Sequence, residues 1–243
     1  MTDLTYSDGI AAARTMIALR ANAGALQRRL PDGWELAPYA GDDLRGTALR
    51  DANVLVPFHE VYASTRADGS PPPGLAQVSY AAFVSQARHA ATGEVAHLHW
   101  RTYTEDPAAV PGHYRDGVLA RVNRTQTFTK KDPGRTHVHE TFSAETDAGS
   151  IHLNLAYEQG GMTLWSAPEH PELLLRAAAD PALARWYQED QVMDVVRADP
   201  LGLDRVAEVT VEGTGELAEV FDDATRVVAV VIQRPYMRRV FVR

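Results

Sequence analysis

The sequence from Gly117 to Gln159 decides the fold class, and it reads GVLARVNRTQTFTKKDPGRTHVHETFSAETDAGSIHLNLAYEQ. Two turn sequences, Asp132-Pro133-Gly134 and Asp147-Ala148-Gly149, divide it, because these residue types favour the backbone angles of tight turns. The segments between the turns have the length and composition of strands. Consecutive strands joined by such short turns run antiparallel. The stretch therefore predicts antiparallel strands over Gly117 to Lys130, Arg135 to Thr146 and Ser150 to Gln159.

Segments on both sides of this stretch extend the pattern. Further strand candidates are Asn53 to Thr65, Gln77 to Arg88, Val95 to Thr104, Val206 to Val211 and Val227 to Ile232. The first segment, Gly9 to Leu30, is compatible with either helix or strand. Apolar residues follow helical spacing from Pro168 to Val196, with a break at Asp180-Pro181, so a helical insertion is expected around 167–198. The sequence predicts one α+β domain over 1–243, a curved antiparallel sheet or barrel with flanking helices.

Composition excludes several classes of protein. The net charge of −8 and the pI near 5.6 disfavour nucleic acid as a partner, because nucleic-acid binding needs a concentrated basic surface. The chain has no cysteine, which rules out disulfides, thiolate metal sites and cysteine nucleophiles. No apolar run reaches the roughly 20 residues of a membrane span, and Met1 to Thr5 does not resemble a signal peptide. We expect a soluble cytoplasmic protein without a membrane partner.

The lysines form an adjacent pair, Lys130 and Lys131, and every other basic side chain apart from histidine is arginine. A lysine amine becomes a nucleophile when burial or a neighbouring cation lowers its pKa, so such a pair could form a Schiff base. The pair precedes the turn at Asp132-Pro133-Gly134, however, and lysines at a hairpin tip are usually solvated. We expect both to be exposed.

Histidines alternate along two strand candidates, as His97 and His99 and as His137 and His139, and His152 lies on a third. Residues two apart in a strand share a face, so such a pair could hold a metal ion. The alternative is that the histidines simply fill polar strand positions. No compact motif supplies two histidines and a carboxylate in the order and at the spacing usual for a metal site, and we predict no metal and no cofactor.

A glutamate and several arginines are candidates for a ligand site. Glu60 interrupts the apolar segment Val54 to Tyr62, so it points either into a cavity, where burial would suit it to proton transfer, or toward an arginine at an edge. An arginine that faces a barrel interior would bind a substrate carboxylate. The arginines in or beside strand candidates are Arg14, Arg20, Arg101, Arg115, Arg121 and Arg124.

Several segments together resemble the acetoacetate decarboxylase superfamily. Ile17 to Arg20 and Ala25 to Asp32 resemble its opening strand, short helix and following turn. Glu60 to Gly69 resembles the strand that carries an active-site glutamate, and Val227 to Arg234 resembles the closing strand. In the central stretch, the spacing of the residues is similar to that in the family. These residues are Tyr80, His99 to Glu105, Pro107, Ala108 and Gly112. The resemblance covers most of the chain except about Gly160 to Leu203.

The departures from the family bear on the chemistry. In this register the family's lysine pair falls at Ala120 and Arg121, and its second active-site glutamate falls at Ala82. Glu60 matches an active-site glutamate of the family. Arg14 lies two positions from the family's substrate-binding arginine, and a shift of two residues along a strand leaves the side chain on the same face. Without an amine the pocket cannot form the imine on which such decarboxylation depends. The resemblance thus implies that the Schiff-base route is missing.

The resemblance implies a lyase-type enzyme of specialised metabolism, which carries out aldol, dehydration or cyclisation chemistry on a keto acid or polyketide-like substrate by acid–base catalysis. We also expect a homo-oligomer. The alternatives are a non-catalytic binding protein for an apolar acid, and a Schiff-base decarboxylase that uses Lys130. The candidate residues are Glu60, His99 and Tyr80 for catalysis and Arg14, Arg20 and Arg121 for substrate binding.

Overall fold

The computed structural model describes the backbone of residues 4–40 and 44–243, and the side chains of these residues except 44, 45, 131, 132 and 162. Two five-residue helices, α1 (Ala23–Gln27) and α2 (Leu44–Ala48), accompany a chain that is otherwise mostly strand. The strands are β1 (Thr5–Arg20), β2 (Trp34–Leu36), β3 (Val54–Arg66), β4 (Val78–His89), β5 (Val95–Thr104), β6 (Gly117–Leu119), β7 (Arg121–Asp132), β8 (Arg135–Thr146), β9 (Gly149–Gln159), β10 (Met162–Ser166), β11 (Leu173–Ala177), β12 (Ala184–Ala198), β13 (Leu203–Asp204), β14 (Val206–Gly213) and β15 (Arg226–Val242).

Seven strands close into a mixed barrel in the order β4, β3, β1, β15, β12, β11 and β5, and β5 pairs back onto β4. All of these pairings are antiparallel except that of β11 with β5, which is parallel. The first and last strands are neighbours, with Thr5 opposite Val242 and Arg20 opposite Arg226. The predicted α+β class, with a curved antiparallel sheet or barrel, is confirmed.

A second, four-stranded antiparallel sheet, in the order β14, β9, β8 and β7, packs against the outside of the barrel. Alternate residues of β3 and β8 meet there, and the rings of Phe58 and Phe142 lie 4.9 Å apart. The same interface buries a carboxylate, Glu140, which is fully inaccessible and lies 2.7 Å from guanidinium nitrogens of both Arg124 and Arg234. It also accepts a hydrogen bond of 2.8 Å from Thr15 Oγ1. The two layers are thus joined by apolar packing around one buried ion cluster.

The strand predictions agree closely with the structure. β5 and β8 have the predicted bounds, Val95–Thr104 and Arg135–Thr146, and the open question about the first segment resolves into β1 followed by α1. No helix within residues 4–40 and 44–243 is long and apolar enough to cross a membrane.

The predicted helical insertion around 167–198 is wrong. β11 and β12 occupy this region as barrel strands, and β12 pairs with β15 along most of its length. The inward positions of β12 include polar residues such as Glu189 and Gln191, which are nevertheless buried. Because these polar residues break the alternation of apolar side chains, the remaining apolar positions matched a helical period instead.

Candidate active site

The barrel encloses a cavity of about 440 Å³. Strand alternation decides what lines it, because every second residue of a barrel strand points inward. On β1, β3 and β15 the inward positions at one level are Arg14, His59 and Gln233, which the pairing registers place side by side. These residues are polar yet almost completely buried, at 7%, 2% and 1% exposure. A polar layer of this kind inside a barrel is a candidate ligand site.

An ion network forms the centre of this layer. Glu189 on β12 lies 3.0 Å from Arg14 Nη2 and 2.7 Å from Arg238 Nη2. Arg14 also donates hydrogen bonds to Gln233 and Gln191, which hold its guanidinium in place. Burial alone would raise the pKa of Glu189, but the two guanidinium groups outweigh burial and lower that pKa to about 2. Glu189 is therefore a carboxylate at neutral pH.

His59 lies beside this network. Its ring stacks on Tyr80 with centroids 4.4 Å apart, and its Nδ1 is 2.9 Å from the Tyr236 hydroxyl. Burial, together with the positive charges of Arg238 and Arg14, holds the pKa of His59 well below its usual range. The imidazole is therefore neutral at physiological pH. Burial also raises the pKa of Tyr80, so its hydroxyl keeps its proton.

A second histidine lines the cavity with its own partners. His99 Nδ1 is 2.5 Å from Asp116 Oδ2, and the ring stacks on Tyr114 at 4.5 Å. The Tyr114 hydroxyl makes a hydrogen bond with the hydroxyl of Tyr187. Burial raises the pKa of both tyrosines, so both stay protonated. One hydroxyl of such a pair donates to the other, which leaves the acceptor's own proton available to a ligand.

The loop that carries Tyr114 has an unusual backbone. Gly112 has a φ of +90°, and the non-glycine residues His113 and Arg115 have φ values of +50° and +64°. A Cβ on Gly112 would overlap the Tyr187 hydroxyl and the Tyr114 ring. Left-handed conformations cost free energy for residues other than glycine, and they often accompany functional sites. Here they let the loop bring Tyr114 against His99.

The structure brings together three of the residues predicted from sequence and separates the others from them. Tyr80, His99 and Arg14 all line the cavity. Arg20 and Arg121 are exposed and lie outside the cavity lining, and Arg121 pairs with Glu145 at the surface.

The expectation that Glu60 points into the cavity is wrong. Its side chain is 41% exposed and lies on the outer face of β3, where its Oε2 is 3.5 Å from Arg124 Nη1. The inward position on this strand belongs to the preceding residue, His59, because strand neighbours face opposite sides. The alternative interpretation is correct in that Glu60 pairs with an arginine, but β3 is not an edge strand, because it pairs with both β1 and β4.

The lysine pair lies in β7 of the second sheet, and Lys130 is exposed as predicted. No lysine is among the described residues that line the cavity. Sequence reasoning did not find His59, Glu189 or Arg238. The available signal was the inward alternation of Leu55, Pro57 and His59, but phase errors of one residue are easily made on an apolar strand.

Two of the strand histidines outside the cavity have local partners. His139 Nε2 is 2.8 Å from Asn154 Oδ1, and His152 Nε2 is 3.0 Å from Ser150 Oγ. Among the described residues, no three or more histidine, aspartate or glutamate side chains are grouped in a way that could hold a metal ion.

Comparison with solved structures identifies the architecture. An acetoacetate decarboxylase-like enzyme from Sphingomonas wittichii RW1 superposes with a TM-score of 0.54 at 13% identity, over 97% of this chain and 91% of the other. The chain has the acetoacetate decarboxylase-like fold. The enduracididine biosynthesis enzyme MppR, in complex with the condensation product of pyruvate and imidazole 4-carboxaldehyde, also shares this fold. It has a TM-score of 0.54 and 9% identity, over 97% of this chain and 87% of MppR. No family model and no curated protein sequence matches the chain.

Proposed function

We propose that this protein is an enzyme that binds a keto acid in the barrel cavity and moves a proton next to its keto group, without a Schiff base. The observation that carries the proposal is the buried network of Arg14, Glu189 and Arg238 beside a neutral His59. The condensation product bound to MppR, a protein of the same fold, supports a small-molecule substrate. Lyase-type chemistry and a role in specialised metabolism, both implied by the family resemblance, belong to this proposal.

The charge balance of the network favours an anionic ligand. Two guanidinium groups contact one carboxylate, Glu189, and the other buried acid that interacts with Arg238 is Asp8, whose pKa burial raises, so these contacts neutralise the two cations only in part. An unpaired buried charge costs several kcal/mol, and a ligand carboxylate would remove that cost. Arg238 directs Nε and Nη2 to Glu189, which leaves Nη1 as the guanidinium nitrogen that this carboxylate does not engage. That nitrogen is suited to receive the ligand.

His59 is placed to accept the proton. When its Nδ1–H donates to the Tyr236 oxygen, Nε2 carries a lone pair, and the low pKa keeps the imidazole neutral. Nε2 takes a proton from the carbon next to the keto group, the electron pair of that C–H bond forms the C=C bond of the enolate, and the π pair of the C=O bond moves to the keto oxygen. The Tyr80 hydroxyl, or the free proton of the Tyr114–Tyr187 pair, stabilises the resulting enolate by a hydrogen bond. His99, oriented by Asp116, is the second group able to transfer a proton.

Enolate formation is the step that aldol, dehydration and cyclisation reactions share, so hydrogen exchange tests the proposal before the natural substrate is known. A panel of 2-keto acids in D₂O is followed by proton NMR, with and without the protein. The wild type should speed up loss of the proton next to the keto group. His59→Gln keeps the approximate size of the side chain but should reduce this rate by about 100-fold or more. Glu60→Gln is the matched control, one residue along on the outer face, and should leave the rate unchanged.

Other outcomes would favour the alternatives. Binding of keto acids without exchange, in a protein whose variants are folded, would favour the non-catalytic binding protein. Borohydride reduction in the presence of a keto acid should leave the protein mass unchanged, because Lys130 is exposed and remote from the cavity lining. A trapped adduct on Lys130 would restore the Schiff-base reaction. An equal loss of exchange in Glu60→Gln would contradict the role of His59.

A further inference from the structure

The cavity is divided into layers by the registers of its strands. One inward step along β1 from Arg14 lies Met16, which pairs with Val231, and Val231 in turn pairs with Val195. The corresponding step leads to Pro57 on β3 and Ala82 on β4, and the pair Leu55 and Val84 follows one inward step further. All of these side chains line the cavity and all are apolar. An apolar layer therefore follows directly on the polar layer of Arg14, Glu189 and Arg238.

Exposure shows which layer is nearer to solvent. The inward side chains of β4 change from Tyr80 at 2% and Val84 at 6% to a half-buried Gln86 and an exposed Arg88. Val95, across the β4–β5 turn from Arg88, is 40% exposed and also lines the cavity. The cavity thus opens at the Arg88 end and has its charges at the buried end. A ligand must pass the apolar layer to reach the guanidinium groups.

The dimensions of this space bound the size of the ligand. The eight residue steps from Tyr80 to Arg88 span about 26 Å of strand, or about 20 Å along the axis of a barrel with ordinary strand tilt. The volume of 440 Å³ equals that of about 15 water-sized groups at roughly 30 Å³ each. A two- to four-carbon acid would leave most of the apolar layer unfilled.

We propose that the natural ligand is an elongated amphiphilic acid with about a dozen carbon atoms, bound with its carboxylate first. The carboxylate contacts Arg14 and Arg238, and the apolar tail lies against Leu55, Val84, Met193 and Val195 and points to the opening. This inference rests on the carboxylate site of the proposed function and adds the tail. The substrate class is therefore a medium-chain keto acid, with its reacting carbon beside His59.

Titration calorimetry with straight-chain carboxylates of increasing length, below their micelle concentrations, tests the inference on the full chain. Affinity should rise about fourfold for each added methylene until the cavity is full, and then level off or fall. Arg14→Gln should lower the affinity for every length by about tenfold or more, because it removes a charged hydrogen-bond donor.

Two variants that change the width of the apolar layer in opposite directions test where the tail binds. Val84→Phe narrows the apolar layer and should move the best length to shorter acids by two or more carbons. Met193→Ala widens it and should move the best length to longer acids. Val209→Phe is the control, because Val209 is half-buried in the second sheet and lies outside the cavity lining. Thermal unfolding of each variant checks that it is folded.

The outcomes separate this inference from the proposed function. If acids of all lengths bind equally and Arg14→Gln weakens them all, the carboxylate site stands and the tail site is refuted. A length dependence that neither Val84→Phe nor Met193→Ala changes would also refute the tail site. If no acid of any length binds the folded wild type, the proposed function and this inference are both wrong.

Discussion

Glu189→Gln tests the buried ion network directly, because it removes the negative charge while keeping the size of the side chain. Glu189 is 6% exposed. Burial would raise its pKa, yet Arg14 and Arg238 lower that pKa from an ordinary 4.5 to about 2. At about 1.4 kcal/mol per pKa unit, the ionised carboxyl contributes about 3 kcal/mol to the free energy of unfolding at pH 7. The variant should lose about this amount.

The effect should depend on pH in a defined direction. The pKa is lower in the folded than in the unfolded protein, so this stability is fully present above about pH 4.5 and is lost as the pH falls through about 2. The difference in unfolding free energy between wild type and Glu189→Gln should therefore shrink by about 2 kcal/mol between pH 7 and pH 3.

Urea denaturation followed by tryptophan fluorescence at several pH values measures this difference. The control is Glu145→Gln, which removes a carboxylate that is 40% exposed in a surface pair and should cost less than about 1 kcal/mol. A Glu189→Gln difference that is the same at pH 7 and pH 3 would refute the reasoning, because it would mean that the network is not held by an ionised Glu189.

Two further predictions concern features outside the ion network, the buried Glu140 cluster and the loop that contains Gly112. Glu140→Gln should lower the free energy of unfolding by about 3–5 kcal/mol in urea titration, because it removes the fully buried carboxylate that Arg124 and Arg234 share and leaves only Glu60 beside Arg124; a loss below about 1 kcal/mol would contradict the buried cluster. Gly112→Ala should cost about 1–3 kcal/mol and weaken ligand binding, because its φ is +90° and a Cβ would displace Tyr187. Gly69→Ala, at a similar φ of +79° with open space around it, separates backbone strain from the effect on the site, so equal ligand affinities in the two variants would count against a role for the loop.

Residue pattern and turn chemistry predicted most of the fold, because local information defines a hairpin. Asp132-Pro133-Gly134 and Asp147-Ala148-Gly149 end strands where the structure ends them, and β8 has its predicted bounds. β12 escaped prediction for a physical reason. Its buried positions include Glu189 and Gln191, whose burial depends on arginines that come from β1 and β15. A pattern of hydrophobicity cannot contain that information.

The prediction of the candidate site was limited in the same way, because the sequence pattern does not tell which face of a strand points into the barrel. Tyr80, His99 and Arg14 were predicted as site residues and do line the cavity, whereas Glu60 lies on the opposite face from the predicted one. Period-two reasoning tells which residues share a face but not which face is inside when both sides of a strand are covered. β3 is covered on both sides, by side chains of the barrel interior such as Tyr80 and by the second sheet, so its outward Phe58 is as buried as its inward His59.

The pairing of β1 with β15 governs how the chain can fold during synthesis. Arg14 and its hydrogen-bond partner Gln233 are 219 residues apart in sequence. At ordinary translation rates, roughly ten to forty seconds separate their emergence from the ribosome. During this interval β1 has no β15 beside it, and the barrel cannot close on that side. The edge of β1 that pairs with β15 therefore stays exposed until β15 has been synthesised. The barrel cavity closes only when β15 pairs with that edge.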